Sequence, residues 1–453
     1  MLKDDTIAQI VTPPGAGGVG IIRISGPCAH DIGRLLIQQR DSITPRLMIL
    51  AHAYASCGRV LDQGLYVEFV APHSFTGENV CEFQGHGSPV GLHGLLNRVF
   101  ALGARAAEPG EFSMRAFLHG KLDLVQAEAI AQTIAAQSEE AYHSANRQLK
   151  GELSRFIKGI RDPLVNLSMR MQTEVEFPDE FPHAYNESLA QQDLYACLNA
   201  IRTLLDGYQS GRFIQQGVCV ALCGPPNAGK SSLLNAFLGY DRAIVSPTAG
   251  TTRDTIEART MVGSMLFRLI DTAGLADTTH VLEQAGMARA RLAMQHADVA
   301  VLVLSHDSDW VRFIQEEWSY LPPHVVTVLN KSDESSWDWL DISIHPILER
   351  SPQVRVSAKT GHGLDHLKAA MTQVLGLKTG MQSSLVTLAR HAQLLEEASV
   401  ALAHAHEALQ KQVPIDVVLV DIHLATHRLG EVLGENVSED IVHQIFKQFC
   451  IGK

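Results

Sequence analysis

No apolar run in this 453-residue chain approaches the length needed to cross a bilayer. Its polar opening, Met1-Leu2-Lys3-Asp4-Asp5, does not read as a signal peptide, so no membrane association is expected and the expected compartment is the cytoplasm. The seven cysteines lack zinc-like pairing, and Cys219 and Cys223 fall on one face of an apolar strand as core residues. Repeats, low-complexity tracts and a basic appendage are all missing. A net charge of −12 argues against a dedicated nucleic-acid binder while leaving room for a local basic face. The remainder, 46% hydrophobic and 19% charged, is ordinary for a soluble protein. At this length two or three domains are expected rather than one core.

What is present is organised around Gly224-Pro225-Pro226-Asn227-Ala228-Gly229-Lys230-Ser231. The apolar run Val218–Cys223 before it reads as a buried strand, and Ser232 to Leu238 has helical spacing. Strand, glycine-rich loop, Lys-Ser and helix make a P-loop. Its glycines let successive N–H groups face phosphate oxygens, and the helix N-terminus adds partial positive charge. Lys230 is expected to reach the β- and γ-phosphates, and Ser231 to ligate Mg²⁺.

Three further elements follow in the order a nucleotide switch requires. Ser246-Pro247-Thr248-Ala249-Gly250-Thr251-Thr252 offers Thr252 as a second Mg²⁺ ligand held by γ-phosphate. Asp271-Thr272-Ala273-Gly274 follows an apolar strand, with a carboxylate for the Mg²⁺ water shell and a Gly274 N–H for the γ-phosphate. Asn330-Lys331-Ser332-Asp333 selects the base. A carboxylate at Asp333 accepts both N–H groups of guanine's edge, where adenine would oppose it with a lone pair. Ser357-Ala358-Lys359 supplies a backbone N–H for the guanine carbonyl. With Asn227, Ala228, Gly229, Lys230, Ser231 and Ser232, these residues form the expected GTP site. The expected fold here is a Ras-like, doubly wound α/β domain over 216–378.

Leu275 stands where many small GTPases place a water-orienting glutamine, so charge and water must be handled otherwise. Asn227 places a carbonyl beside the phosphates, and the Ser246-Pro247-Thr248-Ala249-Gly250-Thr251 segment could fold over it with its backbone carbonyls, so that together they could hold a monovalent cation in the place of an arginine finger. Glu283 is the best carboxylate for the attacking water; the alternative is that these are solvated surface residues.

The remaining chain is read as a multidomain α/β plus all-α protein. Residues 1–120 form an α/β unit with strands at Ile7–Val11, Ile21–Ile24, Leu65–Val70 and after Gly77, and a helix from Ser88 to Leu102. Gly15 to Gly20 matches a dinucleotide fingerprint by letters, but strand rather than helix follows, so the glycines are read as a tight connection. Arg23 within an apolar strand reads as structural. Residues 121–215 are helical, with a stripe through Leu149, Leu153, Phe156, Ile157, Ile160, Leu164, Leu167 and Met171, and a kink or restart expected at Pro163. Arg147, Lys150, Lys158 and Arg161 form either a solvated face or an RNA-backbone contact. Residues 379–453 are helical again, so one helical domain made from both blocks is expected to carry the GTPase domain as an insertion. The last helix starts near Ser438 as N-cap, with Ile441, Ile445, Phe446 and Phe449 as its apolar face.

With these residues laid out, the chain resembles the MnmE (TrmE) family of tRNA-modification GTPases. The likeness runs through TPPGAGGVGIIRISG, SFTGENVCEFQGHG, PGEFSMRAFLHGKLDLVQAEAI, GPPNAGKSSLLNAF, AGTTRD, DTAGL, NKSD and the terminal FCIGK. It implies an N-terminal folate-binding-like and dimerisation domain for a tetrahydrofolate one-carbon donor (5,10-methylene or 5-formyl), with Arg23, Glu82, Lys121 and Lys453 as contacts. It implies a catalytic role for Cys450 beside Lys230 and Glu283, and K⁺ held by Asn227, Ser246, Thr248 and Thr251. A homodimer, an FAD-containing MnmG (GidA) partner and tRNA as substrate are likewise implied. Pro225, Ala276 and His119 depart from the family pattern without removing an implied ligand. The competing reading is a binding switch, a ribosome-assembly-type GTPase without one-carbon chemistry; the two ends of the chain favour the enzyme.

Overall fold

A computed structural model of the chain describes residues 5–39, 41–181, 184–240, 257–271, 282–306, 308–334, 346–376, 384–449 and 452. They divide into two compact units. One comprises Met1–Ala135, Ala145–Thr203 and Arg390–Lys453; the other comprises Ala136–Ser144 and Leu204–Ala389. The fold is multidomain α/β plus all-α, with the second unit largely inserted in the chain of the first.

The first unit opens with a six-stranded sheet of β1 (Ile7–Ile10), β2 (Gly17–Ser25), β3 (Ile49–Tyr54), β4 (Val60–Phe69), β5 (Val80–Gly87) and β6 (Arg105–Ala106). The spatial order is β3-β4-β5-β2-β1-β6, antiparallel except for the β1–β6 pair. Period-2 alternation gives each strand an inner face. Ile22, Ile24, Tyr66 and Phe83 pack there with Ile32, Leu36, Leu95 and Val99 of the helices Ala29–Ile37 and Pro89–Ala101. The helix Glu111–Leu118 brings Phe112 to the opposite face, beside Ile7.

The glycine stretch is not the connection its composition suggests. Gly17, Gly18 and Gly20 lie inside β2, with a register irregularity against β5 between Gly17 and Gly20. Pro163 does not restart the chain as a second helix: Glu152–Glu176 is one helix with the proline inside it. Its buried stripe is Leu153, Ile157, Ile160, Leu164, Leu167 and Met171, while Phe156 is exposed. On its polar side Arg147 pairs with Glu152, and Arg161 with Asp162 and Glu435, so these two cations are engaged within the unit. Ser438 does cap the last helix, Glu439–Lys447, by position but without a side-chain bond. That helix buries Val442 and Phe446 and leaves Ile441 exposed.

The second unit carries β7 (Val218–Cys223), β8 (Glu257–Val262), β9 (Met265–Asp271), β10 (Val299–Leu304), β11 (Val325–Leu329) and β12 (Gln353–Arg355), in the order β12-β11-β10-β7-β9-β8. All neighbours are parallel except β8 and β9. Such a sheet needs both faces covered. Val218, Val220 and Leu222 pack with Leu233 and Phe237 on one side; Cys219, Ala221 and Cys223 pack with Met294 and Ile314 on the other. This is a doubly wound domain. The loop after β7 opens between β9 and β10, where strand order reverses, the usual ligand position in open α/β sheets.

Candidate functional site

The P-loop shape follows from what its glycines lack. Gly224 has φ 141°, and a Cβ there would fall 2.1 Å from the Val303 carbonyl oxygen. Gly229 has φ 92°, and its Cβ would fall 2.3 Å from Asn330 Nδ2. Between them Asn227 adopts a left-handed φ of 62° and stands exposed. The helix Lys230–Tyr240 begins at once, leaving its first-turn N–H groups available to an anion.

Lys230 is buried and donates from Nζ to the carbonyl oxygens of Gly224 and Pro225, each at 2.8 Å. Burial pushes its pKa below the usual lysine value, opposed by the nearby carboxylate of Asp271. The Ser231 hydroxyl donates to Asp271 Oδ2 at 2.9 Å, at the carboxyl end of β9. Hydroxyl and carboxylate thus share one side of the loop, a hard-oxygen pair suited to a divalent cation and its waters.

Asn330 braces this loop from the next strands. Its Nδ2 donates to the Ala228 carbonyl at 2.9 Å, and its Oδ1 accepts the Ala358 N–H at 3.2 Å. The side chain is buried, so the NKSD segment, the P-loop and the Ser357-Ala358-Lys359 turn are locked as one piece. Asp333 is exposed beside Ser357 and Lys359. A bond from the Ser357 side chain, foremost, holds its carboxyl below the usual range. A carboxylate acceptor pair at that edge suits guanine.

In the other unit, Arg23 and Glu82 face each other across β2 and β5, with Nε donating to Oε1 at 2.8 Å. The Arg23 guanidinium lies 5.3 Å from the Phe75 ring centroid and 5.7 Å from that of Phe112. Lys121 Nζ donates to the Pro72 carbonyl at 2.9 Å, and His119 Nδ1 lies 2.9 Å from the Thr76 carbonyl. The segment from Pro72 to Thr76 therefore touches both Arg23 and the Lys121 region. Gly452 is buried at φ 94°, and a Cβ on it would lie 2.6 Å from the Ile10 carbonyl oxygen. Gly452 thus lies against β1, the neighbour of the strand carrying Arg23.

The model of the MnmE helical domain matches residues 124–450, and that of the GTP-binding protein TrmE N-terminus matches 6–121. A tRNA modification GTPase MnmE of Dichelobacter nodosus is 38% identical over 465 residues, with all of both chains covered (100% each). Those of Legionella pneumophila (strain Corby) and Psychrobacter arcticus are 38% and 39% identical, covering 99% of this chain and 99% and 96% of their own. The chain belongs to the MnmE family of tRNA modification GTPases. It is accordingly a GTPase, and GTP is its nucleotide.

Of the residues expected in an MnmE-type site, the structure gathers Asn227, Ala228, Gly229, Lys230, Ser231, Ser232, Asp271, Asn330, Lys331, Ser332, Asp333, Ser357, Ala358 and Lys359 at the carboxyl ends of β7, β9, β11 and β12. Arg23 and Glu82 pair on the N-terminal sheet, and Lys121 bonds Pro72 of the segment that brings Phe75 to Arg23. Ser246, Pro247, Thr248, Ala249, Gly250, Thr251, Thr252, Thr272, Ala273, Gly274, Cys450 and Lys453 lie outside the described residues, and Glu283 is described in its backbone only, within the helix Leu282–His296. Sequence reading missed Phe75 and Phe112 as the rings against Arg23. Phe75 sits in the quoted SFTGEN segment, but only the fold brings Phe112 to it.

Proposed function

We propose that this chain is a K⁺-stimulated GTPase that modifies C5 of the wobble uridine of certain tRNAs. It works as a cytoplasmic homodimer with an FAD-containing MnmG-type partner. The group installed is aminomethyl or carboxymethylaminomethyl, and its carbon comes from a tetrahydrofolate donor. The observation that carries this reading is the Arg23–Glu82 pair beneath two aromatic rings, a cation and a carboxylate held half-buried on the sheet of a GTPase-family protein. A flat, amide-rich heterocycle suits such a place, because the carboxylate takes its N–H edge and the rings take its faces.

On the nucleotide side, Ser231 and Asp271 fit Mg²⁺, which when bound neutralises phosphate charge. Exposed Asn227 offers its carbonyl to K⁺, with Ser246, Thr248 and Thr251 as the further proposed contacts and Thr252 as the second Mg²⁺ ligand. Lys230 and Glu283 act in hydrolysis, Cys450 in modification. Lys121 and the terminal Lys453 complete the folate contacts.

The test is a calorimetric titration of the purified protein with 5-formyltetrahydrofolate, wild type beside Arg23→Ala. Saturable binding that the variant loses supports the reading. No binding by folded wild type overturns it and leaves a GTP-driven binding switch as the better account.

A further inference from the structure

Between β4 and β5 the chain runs from Val70 to Asn79 without regular secondary structure, and Phe75 lies in the middle of that loop. No ladder of backbone bonds fixes such a segment, so its side-chain anchors determine where Phe75 stands. Ser74 Oγ donates to the Glu78 carbonyl at 2.6 Å, and Asn79 Oδ1 accepts the Ala71 N–H at 3.0 Å, which closes the loop on itself. Ser25 stands two residues beyond Arg23 on the same face of β2. Its buried hydroxyl lies 2.7 Å from Thr76 Oγ1 and donates to Glu78 Oε2 at 2.7 Å. That hydroxyl has one proton, so the Thr76 hydroxyl donates to Ser25. A further tie crosses to the helix Glu111–Leu118, where Arg115 Nη1 donates to Glu78 Oε1 at 3.0 Å and Oε2 at 3.2 Å.

Arg115 is 1% exposed, and a guanidinium buried so deeply needs carboxylate partners. Its Nη2 donates to Asp5 Oδ1 at 2.6 Å and to Glu111 Oε1 at 2.9 Å. Arg105 engages the same Asp5 and Glu111. Two guanidiniums thus already meet two carboxylates. Glu78 is a third carboxylate, beyond what neutrality requires, and it is the one carried by the loop. The helix that supplies Arg115 also supplies Phe112, three residues earlier and so on the same side. Phe112 is fully buried and backs the Arg23 guanidinium, whereas Phe75 is 36% exposed and is the ring of the two that a ligand can meet. One ion pair therefore joins the segment carrying the exposed ring to the helix carrying the buried one.

We propose that Glu78 and Arg115 are positioning residues of the one-carbon donor site: their ion pair holds Phe75 at the Arg23 guanidinium, in place before the donor's flat ring system arrives. Neither residue touches the donor; both act through Phe75. The inference rests on the reading that the Arg23–Glu82 pair receives a tetrahydrofolate. With the tie cut, Phe75 must be ordered when the donor binds, and ordering a side chain and its loop at that moment weakens affinity. A pair that served the fold alone would shift unfolding and leave the affinity of the folded protein unchanged. It would also act independently of the residue at position 75.

The experiment is a calorimetric titration of the full-length protein with 5-formyltetrahydrofolate, at a temperature where circular dichroism shows every variant folded. It compares wild type, Glu78→Ala, Glu78→Gln, Phe75→Leu and the double variant Glu78→Ala with Phe75→Leu. Arg115 is left in place, because it keeps Asp5 and Glu111 in all of these and the fold holds. Glu78→Ala and Phe75→Leu are each expected to weaken binding about tenfold. Since both act through one ring, the double variant is expected to bind within about threefold of Phe75→Leu alone. Glutamine still accepts from Arg115, so Glu78→Gln is expected to recover most of the affinity lost in Glu78→Ala. Wild-type affinity in folded Glu78→Ala overturns the proposal. So does a double variant whose losses multiply to about a hundredfold, the mark of two independent effects. No saturable binding by folded wild type overturns the donor reading itself, and the proposal with it.

Discussion

Glu128 Oε2 lies 2.7 Å from His391 Nε2 in the interior of the first unit, and Arg390 grips the same carboxylate through both Nε and Nη2. Burial alone would raise the Glu128 pKa, but His391 and then Arg390 outweigh it and bring it to about 2 from 4.5. Arg390 also donates to the carbonyls of Glu431 and Val432, so the cluster joins the helices Leu124–Ala135, Ala389–Gln410 and Ile415–Leu433. A carboxylate whose folded pKa is depressed stabilises the fold above its unfolded pKa, and that stability is lost as pH falls through the folded one. Wild type should therefore lose stability between pH 4.5 and about 2. Glu128→Gln should cost roughly 3 kcal/mol at neutral pH and lack this part of the acid dependence. Urea unfolding followed across that range measures both.

Ser231 and Asp271 meet at the mouth of the P-loop, and neither position is needed to fill a core. Ser231→Ala should leave folding intact and remove one oxygen from the divalent-cation set. Loss of a metal contact to phosphate removes several kcal/mol of transition-state stabilisation. The expected drop in kcat for GTP is on the order of a hundredfold, with a raised Mg²⁺ requirement. Hydrolysis measured against Mg²⁺ concentration checks it; an unchanged Mg²⁺ curve would remove Ser231 from the set.

Asp333 should decide the base. Guanine offers two N–H donors to a carboxylate, whereas xanthine replaces the exocyclic amine with a carbonyl that an amide can satisfy. Asp333→Asn should weaken GTP by on the order of a hundredfold and gain affinity for XTP. Because the Ser357 bond, and after it the Lys359 charge, lower the Asp333 pKa, wild-type preference for GTP should persist unchanged on mildly acidic buffers. Competition binding with GTP and XTP at two pH values reads both effects.

The nucleotide site was legible because its letters encode backbone geometry: Gly224 and Gly229 are where a Cβ would strike Val303 or Asn330. Strands such as β7 and β10 show themselves by continuous apolar residues, as buried parallel strands do. Gly17 to Gly20 was not legible as strand, because glycine has no local strand preference and its pairing with Gly85 and Gly87 comes from far along the chain. Pro163 read as a break because local rules count its missing N–H, whereas packing of Ile160, Leu164 and Leu167 holds the helix through it. The Asn330 brace on Ala228 was invisible for a related reason: the motif names a base contact, and the fold adds a structural one.

Gly434 ends the helix Ile415–Leu433 at φ 90°, its N–H donating to the Glu431 carbonyl at 3.1 Å. A Cβ there would sit 2.7 Å from both Leu124 Cβ and Phe117 Cε2. Gly58, between β3 and β4, shares the backbone strain at φ 81° but has nothing within 4 Å of its would-be Cβ. Alanine at Gly58 should therefore cost only the left-handed backbone penalty, about 1 kcal/mol. Alanine at Gly434 should cost that plus overpacking against two fixed groups, about 3 kcal/mol in all. The difference between the two variants in urea unfolding isolates the packing part. Equal losses would mean that Phe117 and Leu124 yield freely, and that Gly434 is there for its backbone alone.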